Sequence, residues 1–180
     1  PKYSIPGSLG ISALNEADIP TQELYDQFDN RDLRKKTNFK TEFAHLKTGE
    51  ILKSSIPLSG KFWVEGLETG DRCDVNMHII RYADAILMYA EALNELGAST
   101  YQIPSWDGTQ SYDISRDKNE MSYAISRVRI RGGVPDFGSD VYENADEFRK
   151  HLKHERQIEL FAENSRYFDL RRWKDAEYEE

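Results

Sequence analysis

The sequence predicts a mainly α-helical protein, with tetratricopeptide-type helical hairpins, irregular loops and a few short strands. An apolar stripe at helical spacing runs through residues 76–96. Further helical stretches cover 120–131, which ends at a pair of glycines, and 145–163, which begins after a capping asparagine. Residues 1–75 instead have loop and strand patterns, so the helical part of the chain is expected to be 76–180.

Composition limits the classes of function. The 180 residues are about the size of one domain, and 38% of them are hydrophobic, which is enough for a packed core. A formal charge of −8 argues against a phosphate-binding surface, so nucleic acid is not an expected partner. The single cysteine, Cys73, excludes an internal disulfide, and no Cys/His spacing predicts a zinc site or another cofactor. No apolar run approaches the ~20 residues that span a bilayer.

The first part of the chain alternates short elements with turns. Residues 1–20 are rich in Gly, Pro and Ser and predict a loop. Apolar residues at helical spacing predict a short helix at 21–29. Strands are expected at 37–43, where two phenylalanines alternate with polar residues, and near 50–56 and 61–65.

The helix at 76–96 has the clearest periodicity in the chain. Its stripe comprises Ile79, Ala83, Ile86, Ala90 and Leu93, widened by Tyr82, Tyr89 and Leu96. The small Ala83 and Ala90 allow a second helix to approach closely. We therefore expect this helix to pack antiparallel to the one at 120–131. Gly97 is expected to end it, because glycine readily adopts the left-handed conformation that follows many helices.

The long segment 98–118 is predicted to be a loop with three aromatic rings, Tyr101, Trp106 and Tyr112. Exposed rings suit the flat C–H faces of sugars, and Asp107 is a neighbour that can accept a hydroxyl proton. These four residues are the candidate ligand-binding set. The alternative is that the rings fold back and pin the loop.

Two carboxylates lie four residues apart on the helix at 145–163, Glu155 and Glu159. We expect them to join a structural ion-pair network with arginines from neighbouring segments, since carboxylate–guanidinium pairs are geometrically strict. Those arginines are Arg129, Arg131, Arg166 and Arg172. The alternative is a catalytic pair of the glycosidase type. Acid–base chemistry requires one carboxyl group to stay protonated near neutral pH, and neighbouring arginines oppose that. No catalytic residue is therefore assigned.

Metal sites are weaker alternatives. His151 and His154 lie three apart on one helix, but the metalloprotease pattern needs a second histidine where Ile158 stands. The acidic stretch between Asp113 and Glu120 lacks the glycine of an EF-hand loop, and helix initiation explains it more simply. No metal ligand is assigned.

Four segments, in this order and spacing, resemble the SusD/RagB family. They are PTQELYD at 20–26 with DLR at 32–34, RYADAILMYAEALNE at 81–95, ISRVRIRGGVP at 125–135, and the residues from ERQIEL through RYFDLRRW at 155–173. Leu33, Asp84, Gly132 and Asn164 stand where the family usually has Pro, Glu, Ala and Gly. The resemblance covers most of the chain.

The resemblance implies that the chain is the C-terminal portion of a single, longer SusD-like domain. Such a protein is a non-catalytic nutrient receptor of the outer membrane. It captures oligosaccharides and passes them to a TonB-dependent, SusC-like transporter. A lipid anchor outside this chain would be the only membrane attachment. A tetratricopeptide-like scaffold that binds only protein, and a glycan-cleaving enzyme, are the alternatives.

Overall fold

A computed structural model of the chain describes residues 20–44, 48–61 and 78–177. The chain divides into two compact units, Pro1–Met77 and His78–Glu180. This division falls close to the boundary expected between the part rich in loops and strands and the helical part.

The first unit contains two short helices and a strand hairpin. They are α1 (Gln22–Asp26), α2 (Leu33–Asn38), β1 (Phe39–Ala44) and β2 (Ile51–Ser59), with the two strands paired antiparallel. Side chains cap both helices: Thr21 accepts from the Leu24 amide, and Asp32 accepts from the Arg34 amide. Phe39 at the start of β1 is buried and packs edge-on against another ring, with ring centroids 4.9 Å apart.

Two predictions for this unit need correction, and a third is largely untested. The helix expected at 21–29 ends at Asp26. The strand expected at 37–43 begins at Phe39, because α2 occupies the preceding residues. Hydrophobic periodicity did not predict α2, because this helix is short and polar. Its N-cap residue is its main signal in the local sequence. Of the strand expected near 61–65, the part beyond Lys61 lies outside the described residues.

The second unit is helical. Its elements are α3 (Tyr82–Glu95), β3 (Tyr101–Pro104), β4 (Ser111–Ile114), α4 (Lys118–Arg131), α5 (Ser139–Glu143), α6 (Ala145–Glu159) and α7 (Ser165–Trp173). One apolar core joins α3, α4, α5 and α6. Its buried members are Leu87, Ala90, Leu93, Met121, Ala124, Ile125, Val128, Val141, Tyr142, Phe148 and Leu152.

Helices α3 and α4 form the predicted antiparallel hairpin. Tyr82, at the start of α3, has its ring 5.3 Å from the guanidinium carbon of Arg127, near the end of α4. At the opposite end, Asn94 accepts hydrogen bonds from Arg116, just before α4 begins. Ala90 is fully buried, and another small residue, Ala83, packs against the same cluster. The small residues therefore occupy the predicted contact.

The start of α3 and the limits of its buried face differ from the prediction. The helix begins at Tyr82, and Ile79 is 95% exposed before it. Tyr82 and Tyr89 are exposed instead of widening the core. The buried face is centred on Leu87, which is 0% exposed. Long amphipathic side chains at the edge of an apolar stripe keep their polar ends in water, and this explains the narrower core face.

Local signals at the other helix ends were more informative. Asn144 caps α6 as predicted, accepting from the amides of Asp146 and Glu147. Gly133 has a φ of +78° just after α4, and Gly97 has a φ of +60° after α3. However, α6 ends at Glu159 instead of 163, because Ala162 is left-handed, with a φ of +60°, and breaks the helical path.

Three further corrections concern the connections and the last helix. The predicted loop at 98–118 contains the β3–β4 hairpin. The short helix α5 was not predicted, and α7 is a helix of nine residues where the sequence indicated a short segment at 167–173.

The close contact of α3 with α4 predicts the effect of Ala90→Leu. The larger side chain has no space in the core, so the free energy of unfolding should fall by about 1–3 kcal/mol. Denaturant unfolding of the variant measures this. Ala92→Leu, on the exposed side of the same helix, is the control and should change stability by less than about 0.5 kcal/mol. Equal stability in both variants would contradict the packing.

Candidate ligand-binding site

Two buried glutamates on α6 lie at the centre of the charged network. Glu155 is 1% exposed and Glu159 is 3% exposed. Arg129 donates through Nη1 to Glu155 Oε2 at 2.6 Å, and Arg131 pairs with Glu159 Oε1. Both arginines come from the last turn of α4. The expected pairing of these glutamates with arginines at the end of α4 is therefore present, and it ties α6 to α4.

An arginine that the sequence did not single out completes this cluster. Arg81, immediately before α3, forms two parallel bonds with Glu163, both 2.7 Å long. Its Nη1 also donates to Glu159 Oε1 at 3.0 Å. One guanidinium thus joins the start of α3 to the end of α6. The only available signal was its place at the head of the segment that resembles the family.

A second cluster connects α6, α7 and α3. Arg156 donates two hydrogen bonds to Asp169, of 2.8 and 3.0 Å, and both residues are buried. Arg172 donates to Asp169 at 2.9 Å and forms a bidentate pair with Glu91. Trp173 donates to Glu91 through Nε1 at 2.7 Å. The sequence predicted that Arg172 would pair with Glu155 or Glu159. This was wrong, because Arg172 pairs with Asp169 and Glu91 instead.

Arg166, the remaining arginine of the predicted set, lies over the Trp173 ring at 6.0 Å from its centroid. Lys153 and Arg172 lie 5.1 and 4.6 Å from the same centroid. A tryptophan ring attracts cations through its negative faces, so it gathers these three charges at one place.

This arrangement favours a structural role for the glutamates over a catalytic one. A general acid must keep its proton near neutral pH, whereas guanidinium partners stabilise the charged carboxylate. Glu155 and Glu159 have their carboxylate oxygens engaged by arginines and are buried among helices. Buried pairs of this kind hold elements in one arrangement.

The candidate ligand residues lie on the β3–β4 hairpin. Tyr101 pairs with Ile114, and Ile103 pairs with Tyr112, so these four side chains share one face of the ribbon. Ile114 packs against the helical core. The hairpin is therefore anchored at its base, and its aromatic side chains continue outward from that anchor.

A rigid turn closes the hairpin. The Gly108 amide donates to the Ser105 carbonyl at 2.9 Å, and Gly108 has a φ of +70°, which glycine adopts without strain. Oδ1 of Asp107 accepts three bonds: from Ser105 Oγ at 2.6 Å, from the Thr109 amide at 3.1 Å and from Thr109 Oγ1 at 2.8 Å. These donors, Ser105 first, lower the pKa of Asp107 to about 2.

The rings point away from the protein. Trp106 is 98% exposed at the tip of the turn. Tyr101 and Tyr112 are about half exposed, and the Tyr112 hydroxyl donates to Gln110 Oε1 at 2.8 Å. Backbone bonds and Asp107 hold the turn in shape, and the Tyr112 hydroxyl adds one bond within the hairpin. Trp106 is too exposed to pin the segment against the rest of the chain.

The weaker metal alternatives find no support in the part of the chain that the structure describes. Within it, no group of three or more His, Cys, Asp or Glu side chains is placed to hold a metal ion. His151 Nδ1 lies 2.9 Å from the Glu147 carbonyl, and its ring packs edge-on against Phe137. Asp117 accepts from the amides of the first turn of α4, as the helix-initiation interpretation expects.

Comparison with known proteins identifies the family. The model of the SusD family matches residues 55–180, which is more than half of the chain. The chain belongs to the SusD family.

Individual relatives agree with this assignment. SusD-like protein P38 of Formosa agariphila is 34% identical over 103 residues, covering 57% of this chain and 18% of that protein. SusD-like protein P2 of the same organism is 27% identical over 171 residues, covering 87% of this chain and 31% of that protein. The chain therefore spans less than a third of the length of either curated relative.

A solved structure shows the same fold. The crystal structure of a SusD superfamily protein from Bacteroides vulgatus aligns with 89% of this chain and 34% of its own, with a TM-score of 0.61 and 24% identity. The mainly helical prediction is thus confirmed. None of the helices within the described ranges is long and apolar enough to cross a membrane.

The buried network predicts the effect of Glu159→Ala. Removing this carboxylate deprives Arg81 and Arg131 of a partner, and breaking a buried ion pair destabilises a protein by roughly 3–5 kcal/mol. We expect a loss of about 3 kcal/mol, the lower end of that range, because Arg81 keeps Glu163. Denaturant unfolding measures it. Glu95→Ala, which breaks a half-exposed pair with Arg149, is the control, with an expected loss of about 0–1 kcal/mol. Equal losses would refute the role of burial.

The turn predicts an acid-resistant hairpin. Because the pKa of Asp107 is lowered from 3.8 to about 2, its contribution to turn stability is present above pH 3.8 and is lost as the pH falls through about 2. The chemical shift of the Thr109 amide, followed by NMR, should titrate with a midpoint near 2. A midpoint near 3.8 would show that these bonds do not form in solution.

Proposed function

We propose that this chain is part of a non-catalytic, cell-surface nutrient-binding protein that captures oligosaccharides and delivers them to a TonB-dependent, SusC-like transporter. Membership of the SusD family supports the class of function. One observation supports the site: a rigid hairpin holds Trp106 almost completely exposed at its tip. The proposed location is the outer membrane, with attachment through a lipid anchor outside this chain.

The hairpin suits reversible sugar binding. An indole ring offers a flat apolar face to the C–H patch of a pyranose, and buried apolar area contributes about 25 cal/mol per Å². The turn is already formed by Asp107 and Gly108, so little conformational entropy is lost when a ligand stacks. Tyr101 and Tyr112 extend the aromatic surface along the same segment.

A protein-binding scaffold is the second candidate, and one surface favours it. On the outer side of α3 and α4, the exposed rings of Tyr82 and Tyr123 lie 5.3 and 5.4 Å from the guanidinium of Arg127. Tyrosine and arginine are enriched at protein interfaces. Oligosaccharide titration separates the two candidates, because a scaffold that binds only protein gives no heat with any sugar.

Trp106→Ala should weaken oligosaccharide binding by about tenfold, since ~1.4 kcal/mol corresponds to one decade in Kd. Isothermal titration against maltohexaose, cellohexaose and xylohexaose measures the change. The Tm of Trp106→Ala should equal that of the parent, because the Trp106 ring does not belong to the core. Phe168→Ala, which removes another exposed ring on α7, is the matched control and should leave Kd unchanged. Equal affinity of Trp106→Ala and the parent would remove the hairpin from the site.

The same samples test the absence of catalysis. Chromatography after long incubation should recover each hexasaccharide intact, because the glutamates of α6 are buried and paired with arginines. Shorter products above a heat-treated control would revive the glycosidase alternative.

A further inference from the structure

A cleft of about 540 Å³ opens between the start of α4 and the segment that leads into α5. Its size falls within the range of small-molecule sites. Among the residues that line it are Arg116, Ser122, Asp136, Phe137, Ser139 and Tyr142. The cleft begins just after β4, at the base of the hairpin.

Asp136 organises the floor of this cleft. Ser122 Oγ donates to Asp136 Oδ2 at 2.6 Å, and the Tyr142 hydroxyl donates to Asp136 Oδ1 at 2.6 Å. The Phe137 amide donates to Oδ1 at 2.8 Å. Burial, followed by the bond to Asp136, raises the pKa of Tyr142, so its hydroxyl remains a donor at physiological pH. The polar floor is fixed before any ligand arrives.

Arg116 is equally fixed, but by neutral oxygens. It donates to Asn94 Oδ1 at 3.2 and 3.1 Å and to the Tyr142 carbonyl at 2.9 Å. Arg116 and Asp136 therefore both line the cleft, and each is held by other partners. At the rim, Lys118 pairs with Glu143 across the opening.

Two cations, Arg116 and Lys118, and three carboxylates, Asp117, Asp136 and Glu143, line the cleft. Its small net negative charge disfavours an anionic ligand. The lining offers hydroxyl and carboxylate oxygens, amide and guanidinium donors, and the aromatic side chain of Phe137. A sugar presents hydroxyls that both donate and accept, together with apolar C–H patches. This combination matches the lining.

We infer that the cleft binds a sugar unit of a neutral oligosaccharide, as a second subsite beside the hairpin. The inference rests on the proposed function and deepens it by naming the ligand class and a second contact. Ser122 Oγ and the Asp136 carboxylate accept from sugar hydroxyls, Arg116 donates to a sugar oxygen, and Phe137 lies against the ring carbons.

Ser122→Ala tests the subsite in the 180-residue chain. Its matched control is Ser126→Ala, one turn further along α4, where the hydroxyl donates only to the Tyr123 carbonyl. Titration with maltohexaose, cellohexaose and xylohexaose should show a Kd three to ten times higher for Ser122→Ala and an unchanged Kd for Ser126→Ala. Both variants should keep the Tm of the parent.

A second variant blocks the cleft sterically. It distinguishes the loss of a sugar contact from an indirect effect of Ser122→Ala on Asp136. Ser139→Trp places a large ring at the mouth of the cleft, and Ser139 is exposed at the first position of α5. It should weaken binding of the same hexasaccharides at least as much as Ser122→Ala. A trimer of galacturonic acid should bind more weakly than the neutral probes.

The outcomes separate this inference from the function on which it rests. If the parent binds a hexasaccharide and Trp106→Ala weakens it, while Ser122→Ala and Ser139→Trp do not, the cleft is not a subsite and the proposed function stands. Tighter binding of the galacturonate trimer overturns the neutral ligand class. A parent chain that binds none of the sugars overturns the proposed function itself.

Discussion

The second unit depends on how arginines meet buried carboxylates around α6. Glu155 and Glu159 lie on one side of this helix, and the guanidinium groups of Arg81, Arg129 and Arg131 reach them from the start of α3 and the end of α4. A bidentate pair tolerates little displacement. The antiparallel α3–α4 hairpin therefore has one position along α6 in which these charges are satisfied.

The network specifies an arrangement more than it adds stability. Desolvation offsets much of the attraction in a buried ion pair, and apolar substitutes of similar volume are often neutral or stabilising. The favourable free energy comes instead from the apolar cluster that includes Leu87, Met121 and Phe148. Slipping one helix past another would keep much apolar contact but would strand several charges. Apolar burial thus drives association, and the arginines select the register.

The same scaffold explains why the hairpin and the cleft suit binding. Ile114 anchors the hairpin on the core, and Asp107 fixes its turn. Below it, Tyr142 belongs to the core through its ring and to the cleft through its hydroxyl. Contacts with the core and within the turn therefore hold both surfaces in place before a ligand binds, and such preorganisation lowers the entropic cost of recognition.

Local sequence indicated the longer helices and several of their ends. Periodicity indicated α3, α4 and α6, and Asn144 and Gly133 marked boundaries that the structure confirms. The acidic and arginine-rich segments also predicted that carboxylate–guanidinium pairs would form. Gly108 marks a turn, but the segment was predicted to be a loop. A short polar hairpin lacks the strong apolar alternation that predicts strands.

Only the tertiary structure decided which partners meet and which rings face solvent. Arg172 pairs with Glu91, 81 residues away, and nothing in the local pattern distinguishes that carboxylate from Glu155. Tyr82 and Leu87 both lie on an apolar helix, yet one is exposed and the other buried. Periodicity reports the amphipathic character of one element, whereas partner choice and burial depend on surfaces that distant segments bring together.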